Sequence, residues 1–302
     1  MHKHFIRLVW LAPLLLHSMD ANAWGLLTHV YFAQWLVWTL PLLDPNLRRA
    51  VQRFPDLVLA GACLPDLALV SPTFHHTHQW ESCQDLLRCA HTDEEIAISV
   101  GYASHLFVDV VAHNHFVPAH EAMWLKGTLL THVAGEWAVD AHLAPLLSRT
   151  PHQLLQRHHD LLAPFLARRF RCNRQRAAKA LRRLAAADRL LRAVRLPQLL
   201  YTTFSCLDRR VFDHFVYYIS QTQAMLPQID SLFAGTQPVW EADPKIQDRN
   251  LLSQLRQRCL AHLRARHPAP IEHFSPGQLA HNMKEILAIN TPITAPASTS
   301  VG

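Results

Sequence analysis

The chain is poor in glycine, with 8 in 302 residues, and poor in charge, with Asp, Glu, Lys and Arg at 17%. Scarce glycine excludes collagen-like and glycine-rich repeats, and no other internal repeat is visible. No segment alternates Val, Ile or Thr with polar residues between turns, so strands lack support. There is no Gly-x-Ser-x-Gly elbow and no P-loop, which leaves serine hydrolases and nucleotide triphosphatases without a signature. None of the six cysteines stands in a Cys-x-x-Cys pair, which argues against a thiolate zinc site. The apolar run Leu8–Leu16 is far shorter than the roughly 20 residues of a membrane span.

What is abundant is histidine, at 22 residues, in a chain that is 50% hydrophobic and therefore able to bury a core. Histidine is the commonest metal ligand and the side chain that titrates near neutrality, so its placement carries the functional reading. Charge is divided unevenly. Residues 24–142 hold 5 Lys/Arg and 12 Asp/Glu, a net −7, together with 11 of the histidines; residues 143–302 hold 22 Lys/Arg and 10 Asp/Glu, a net +12. An acidic, histidine-rich half suits cation binding. The basic half reads as solvated helix faces that would also suit phosphates or an anionic membrane surface.

Residues 1–23 read as a secretory signal: basic residues to Arg7, the apolar Leu8–Leu16, then Ala21-Asn22-Ala23 as a small-x-small cleavage site. Cleavage after Ala23 would export the protein, to the periplasm or beyond, and leave Trp24 at the new N-terminus. Export permits disulfides. Cys63, Cys83, Cys89, Cys172, Cys206 and Cys259 form an even set, which fits up to three bridges or buried free thiols. The expected units are the signal peptide (1–23), a metal-binding catalytic core (24–150), a basic helical region (151–290) and a disordered Thr/Ser/Ala/Pro-rich tail (291–302).

The chain reads as all-α. Leu26 to Leu40 is apolar at helical spacing and stops before Pro41, and Asp44-Pro45 opens the next helix. Asp93-Glu94-Glu95 begins a helix running to about His115. Further helical patterns cover Glu121–Leu147 and several segments between Gln153 and Arg195, while Pro197, Pro227, Pro238 and Pro244 mark later loops. Trp35, Trp38, Trp124 and Trp137 read as core, and Asp140 as a solvated helix residue. His91, His120 and His142 read as surface residues or groups that orient a ligand.

His105, Asp109 and His113 stand at i, i+4 and i+8 and so share one face of a helix rich in Leu, Phe and Val. Three metal-capable side chains on an apolar stripe are costly to bury without a partner, and a divalent cation would be one. A lone His-x-x-x-Asp is also met as a satisfied core pair, but here it has company. His132 and Glu136 form a second i, i+4 pair, His29 lies five residues after Trp24, and Asp66 precedes the cluster His75-His76-Thr77-His78-Gln79-Trp80. Nitrogen and carboxylate donors without thiolates match catalytic rather than structural zinc.

This ordered set resembles the zinc-dependent phospholipase C and single-strand nuclease superfamily. Gly25-Leu-Leu-Thr-His29, Thr77-His-Gln-Trp80 and Ser104-His-x-x-x-Asp-x-x-x-His113 look most like its bacterial phospholipase C-like group, and also resemble the catalytic domain of glycosylphosphatidylinositol-specific phospholipase D. The likeness covers residues 24–142. It implies a multi-helix bundle with a trinuclear zinc site between helices. One ion would take Asp66, His78, His105 and Asp109. A second would take His113 or His115 with His132 and Glu136. A third would take His29, Asp109 and the amine and carbonyl of Trp24, which an uncleaved leader would block. His113 shares the face of His105, and His115 follows other members' spacing. His78 is preferred to His76 because it precedes Trp80. The implied activity is phosphodiester hydrolysis, with phospholipid as substrate and Asp66 orienting or deprotonating the water. A single-strand nuclease and a non-catalytic metal-binding scaffold are the alternatives. Nothing in the sequence sets the oligomeric state.

Overall fold

In the structure, a computed structural model describing residues 25–39, 44–116, 129–207 and 210–235, every regular element is helical. The centre is a long helix, α6 (Asp93–Val111). Its residues Ala97 to Val111 are all buried, so it is covered on every side by its neighbours. Thr92 caps it by accepting from Glu95 N, and three acidic residues in its first turn complement the helix dipole.

Most of the helices that surround it come from the first half of the chain: α1 (Leu26–Thr39), α2 (Pro45–Arg53), α3 (Pro55–Gly61) and α5 (Trp80–Arg88), with the short α4 (Leu67–Val70) between the last two. Asp44 caps α2 through Asn46 N and Leu47 N, with Pro45 opening the helix as expected. The α3–α6 crossing depends on two glycines. A Cβ at Gly61 would meet Ile98 O at 2.2 Å, and one at Gly101 would meet Val58 O at 1.9 Å. The two backbones therefore touch, which draws the turn after α3 against the middle of α6.

A five-residue π-helical turn, Ala112–Phe116, continues α6, and α7 (Leu129–Leu143) packs against α1. Then come α8 (Pro151–Arg157), α9 (His159–Arg169), α10 (Arg174–Ala193), α11 (Leu196–Leu207) and α12 (Arg210–Met225), followed by one short helix, Asp230–Phe233. One cluster of buried side chains runs from Leu27 to Leu232 and passes through position 150 without a break. α10 buries Ala177, Leu181, Leu184 and Ala185, while Arg174, Arg176, Lys179, Arg182, Arg183 and Arg189 are exposed. No helix among the described residues is long and apolar enough to cross a membrane.

Three expectations are corrected. Pro197 does not mark a loop but is the second residue of α11, where no intrahelical N–H is required. Trp38 is not core: it is 68% exposed near the end of α1, whereas Trp35 packs on the core. Asp140 is not solvated but only 2% exposed, for reasons given below. Cys63, Cys83, Cys89, Cys172 and Cys206 are free thiols, and burial pushes the Cys83 thiol up to about 12. Trp124, His120, Cys259 and the tail lie outside the described residues.

Candidate metal centre

Five of the side chains singled out in the sequence converge where α1, the turn after α3, the turn before α5 and the C-terminal half of α6 meet. α6 supplies His105 and Asp109 one turn apart, with His105 Nε2 3.1 Å from Asp109 Oδ2. His29, on the first turn of α1, places its Nε2 3.3 Å from Asp109 Oδ1 and stacks its ring on His105 at 3.4 Å. Asp66 stands just before α4, with Oδ1 3.7 Å from His105 Nε2. His78 Nε2 lies 3.6 Å from Asp66 Oδ1, 3.8 Å from Asp109 Oδ2 and 3.3 Å from His105 Nε2. Two overlapping donor groups result, one of His29, His105 and Asp109 and the other of Asp66, His78 and His105.

The backbone around the cluster fixes these orientations. His105 Nδ1 donates to Ala62 O at 2.7 Å, which fixes the tautomer and leaves the Nε2 lone pair aimed at the carboxylates. The close α3–α6 crossing puts that carbonyl in reach. The turn bearing His78 is tied down by Thr77, whose hydroxyl lies 2.5 Å from Pro65 O and 2.8 Å from Phe74 O, and by Tyr102, whose hydroxyl donates to Thr77 O. Of the three histidines in this segment, His75 and His76 are exposed, and only His78 points inward.

The cluster is nearly dry. His29, Asp66, His105 and Asp109 are each 1% exposed, and the His78 side chain is the most accessible of the five at 11%. Burial pushes the Asp109 carboxyl up, against the opposing pull of His105 and His78. For His105, burial opposes protonation, but Asp109 and Asp66 outweigh it and raise its pKa. Neither Asp109 oxygen receives an aligned hydrogen bond, although three imidazole nitrogens lie around them. Imidazole nitrogens and carboxylate oxygens gathered in a buried cluster are a donor set that a shared cation would draw together. Donors bound to zinc at about 2.0–2.1 Å in a tetrahedron are themselves about 3.4 Å apart. The separations here, between 3.1 Å and 3.8 Å, match that spacing, so the His/Asp groups suit zinc.

The remaining candidates stand apart from these two groups. His113, in the π turn, and Glu136, on α7, are both buried, but among the described residues neither enters a three-donor group. Trp24 and the side chains of His115 and His132 lie outside the described residues. His91 is exposed, and His142 is half-buried with Nδ1 3.0 Å from the Tyr201 hydroxyl.

The sequence reading missed Asp140, one turn after Glu136 on α7. Its carboxylate accepts from Leu27 N at 3.2 Å, Thr28 N at 2.9 Å and Thr28 Oγ1 at 2.8 Å. It thus caps α1 from across the core. An acid within the apolar stretch Ala138-Val-Asp-Ala141 was the available signal of burial. For Gly101 the signal was a lone glycine inside a long helical pattern.

Residues 28–172 match the family described as zinc dependent phospholipase C, a little under half of the chain and the whole of the donor cluster. Over this segment the chain is similar to that family, which supports the resemblance read from the sequence. No curated protein and no solved structure matches the chain.

Proposed function

We propose that the protein is an exported, zinc-dependent phosphodiesterase that hydrolyses phospholipids at the phosphodiester bond. The observation that carries this is the buried convergence of His29, Asp66, His78, His105 and Asp109 within the segment that matches the family. In the proposed full site three zinc ions are held, two by the groups around Asp109 and one by Glu136 and His132 with His113 or His115. Trp24, freed by leader cleavage after Ala23, completes the set beside His29.

Bound zinc supplies a Lewis acid for the phosphoryl oxygens and brings the pKa of a coordinated water toward neutrality. The chain's own residues do the positioning. Asp109 turns one oxygen toward His29 and the other toward His78 and His105, and so joins the two donor groups. His105, held by Ala62 O, keeps its Nε2 fixed between both carboxylates. Asp66 orients the attacking water and takes its proton as water adds in line with the leaving oxygen. His78, the most accessible of the five side chains, is the one that substrate would meet first. The exposed arginines of α10 supply a surface that favours peripheral contact with anionic membrane.

The test is release of phosphorylated head group from phosphatidylcholine vesicles by zinc-loaded protein beginning at Trp24, with His105→Ala and Asp109→Ala as controls. Release by the wild type and its loss in both variants is the expected result. Cleavage of single-stranded DNA in place of lipid would move the protein to the nuclease side of the superfamily. Activity that survives both substitutions would overturn the site.

A further inference from the structure

α1 begins without a side-chain cap of its own. Position 25 is glycine, and the N–H groups of Leu27 and Thr28 need acceptors at a buried helix start. Gly25 O accepts from Thr28 N and His29 N, and the other acceptor comes from 112 positions away: the Asp140 carboxylate on α7. One of its oxygens faces Leu27 N, and the other takes both the amide and the hydroxyl of Thr28. The fit leaves no room for a side chain at position 25, where a Cβ would lie 2.4 Å from Asp140 Cγ and Oδ1. Glycine is thus required here by the approach of the carboxylate.

The anchor is itself held from a third helix. Arg192 on α10 lies 3.8 Å from Asp140 Oδ2 and 2.7 Å from Asp188 Oδ1, and Asp188 accepts from His152 N on α8 at 3.1 Å. The negative carboxylate sits at the positive end of α1 and is balanced by Arg192 from the other side.

Immediately after the anchored residues comes His29. Its ring lies flat on His105 at 3.4 Å with Nε2 3.3 Å from Asp109, so a slide of α1 by an ångström would carry this nitrogen out of register with its partners. We propose that Asp140 is a positioning residue of the metal centre: by clamping the first turn of α1 it fixes His29 against Asp109 and His105, and Gly25 is glycine to admit the clamp. Trp24, whose amine the family resemblance assigns to a metal, directly precedes Gly25, so the same clamp would set where a processed chain begins.

This inference rests on the reading of His29 as a metal ligand, and the experiment separates the two. Metal-free full-length protein is titrated with Co2+ alone, following the visible absorption bands, and with Zn2+ in competition against a chromophoric chelator. Wild type is compared with Asp140→Asn, Thr28→Val and Leu181→Ala, and Tm is recorded for each. Asp140→Asn is expected to weaken metal binding about ten- to hundredfold and to change the cobalt spectrum, as loss of ligand-orienting partners does. Thr28→Val, which removes one of the three contacts, should produce a smaller change of the same kind and serves if Asp140→Asn fails to fold. Leu181→Ala, which opens a cavity in the apolar face of α10 and touches none of the clamp's hydrogen bonds, should lower Tm and leave the cobalt spectrum as in wild type. Wild-type affinity and spectrum in folded Asp140→Asn, or in Thr28→Val if only that variant folds, would make Asp140 a helix cap and nothing more. A spectrum altered equally by Leu181→Ala would likewise overturn the assignment. Failure of the wild type to bind cobalt or zinc would instead sink the metal reading of the cluster.

Discussion

Two carboxylates, Asp109 and Asp140, lie almost equally deep in this protein, at 1% and 2% exposed, yet they live in opposite surroundings. Asp140 is served by the protein itself: two backbone amides, a hydroxyl and an arginine are directed at it. Asp109 has no aligned donor and faces the nitrogens of His29, His78 and His105. One site is complete without a ligand and builds structure. The other has the make-up of a site that a bound cation would complete. A buried carboxylate ringed by imidazoles suits a metal, whereas one ringed by amides, a hydroxyl and a guanidinium serves as a structural anchor.

The largest expected consequence of that difference is at Asp109. Asp109→Asn should lower phosphodiesterase activity at least about a thousandfold, measured as initial rates on zinc-loaded protein. At pH 8 the same variant should raise the Tm of the metal-free protein, because a poorly compensated buried charge has gone. Asp140→Asn should do the reverse to the metal-free fold and destabilise it. If both variants destabilise the metal-free protein alike, the contrast fails.

Next in size is a pH effect. Burial holds the Asp140 carboxyl at about 6 against an ordinary value of 3.8, with Arg192 and Thr28 pulling it down. The fold thus favours the protonated acid. That contribution to stability is complete below pH 3.8 and is lost as pH rises through about 6. The shift corresponds to about 3 kcal/mol. In urea unfolding of metal-free protein, Asp140→Asn should be less destabilised relative to wild type at pH 8 than at pH 4.

Removal of metal should come close behind. Chelation should lower Tm by an amount equivalent to about 2.7 kcal/mol if free zinc stood at 100 times its Kd, and calorimetry with and without chelator checks it. Asp109→Asn protein should show a much smaller difference. Gly101→Ala is expected to cost about 1–3 kcal/mol in urea unfolding, because its new methyl would run into Val58 O and push α3 from α6. It should also weaken zinc binding, since Ala62 O would move from His105.

Much of this was legible beforehand because it is periodic or local. His105 and Asp109 share a helix face by spacing alone, Asp44-Pro45 announces a helix start, and the acids at 93–95 announce another. The inward turn of His78, in place of His75 or His76, depends on Thr77 and Tyr102, contacts that no spacing displays. Asp140 escaped because its partners lie 112 and 113 positions away, and a polar residue on a helix looks solvated until the packing is known. The exposure of Trp38 follows the same logic in reverse: helical spacing tells which residues share a face, and only packing tells which face is covered.

The most direct test of the central claim is the metal content of purified protein whose N-terminus is confirmed as Trp24, measured by elemental analysis alongside Asp109→Asn. Close to three zinc per chain in the wild type, with clear loss in the variant, is the predicted result. A wild type that holds no zinc, or a variant that holds as much as the wild type, would contradict it.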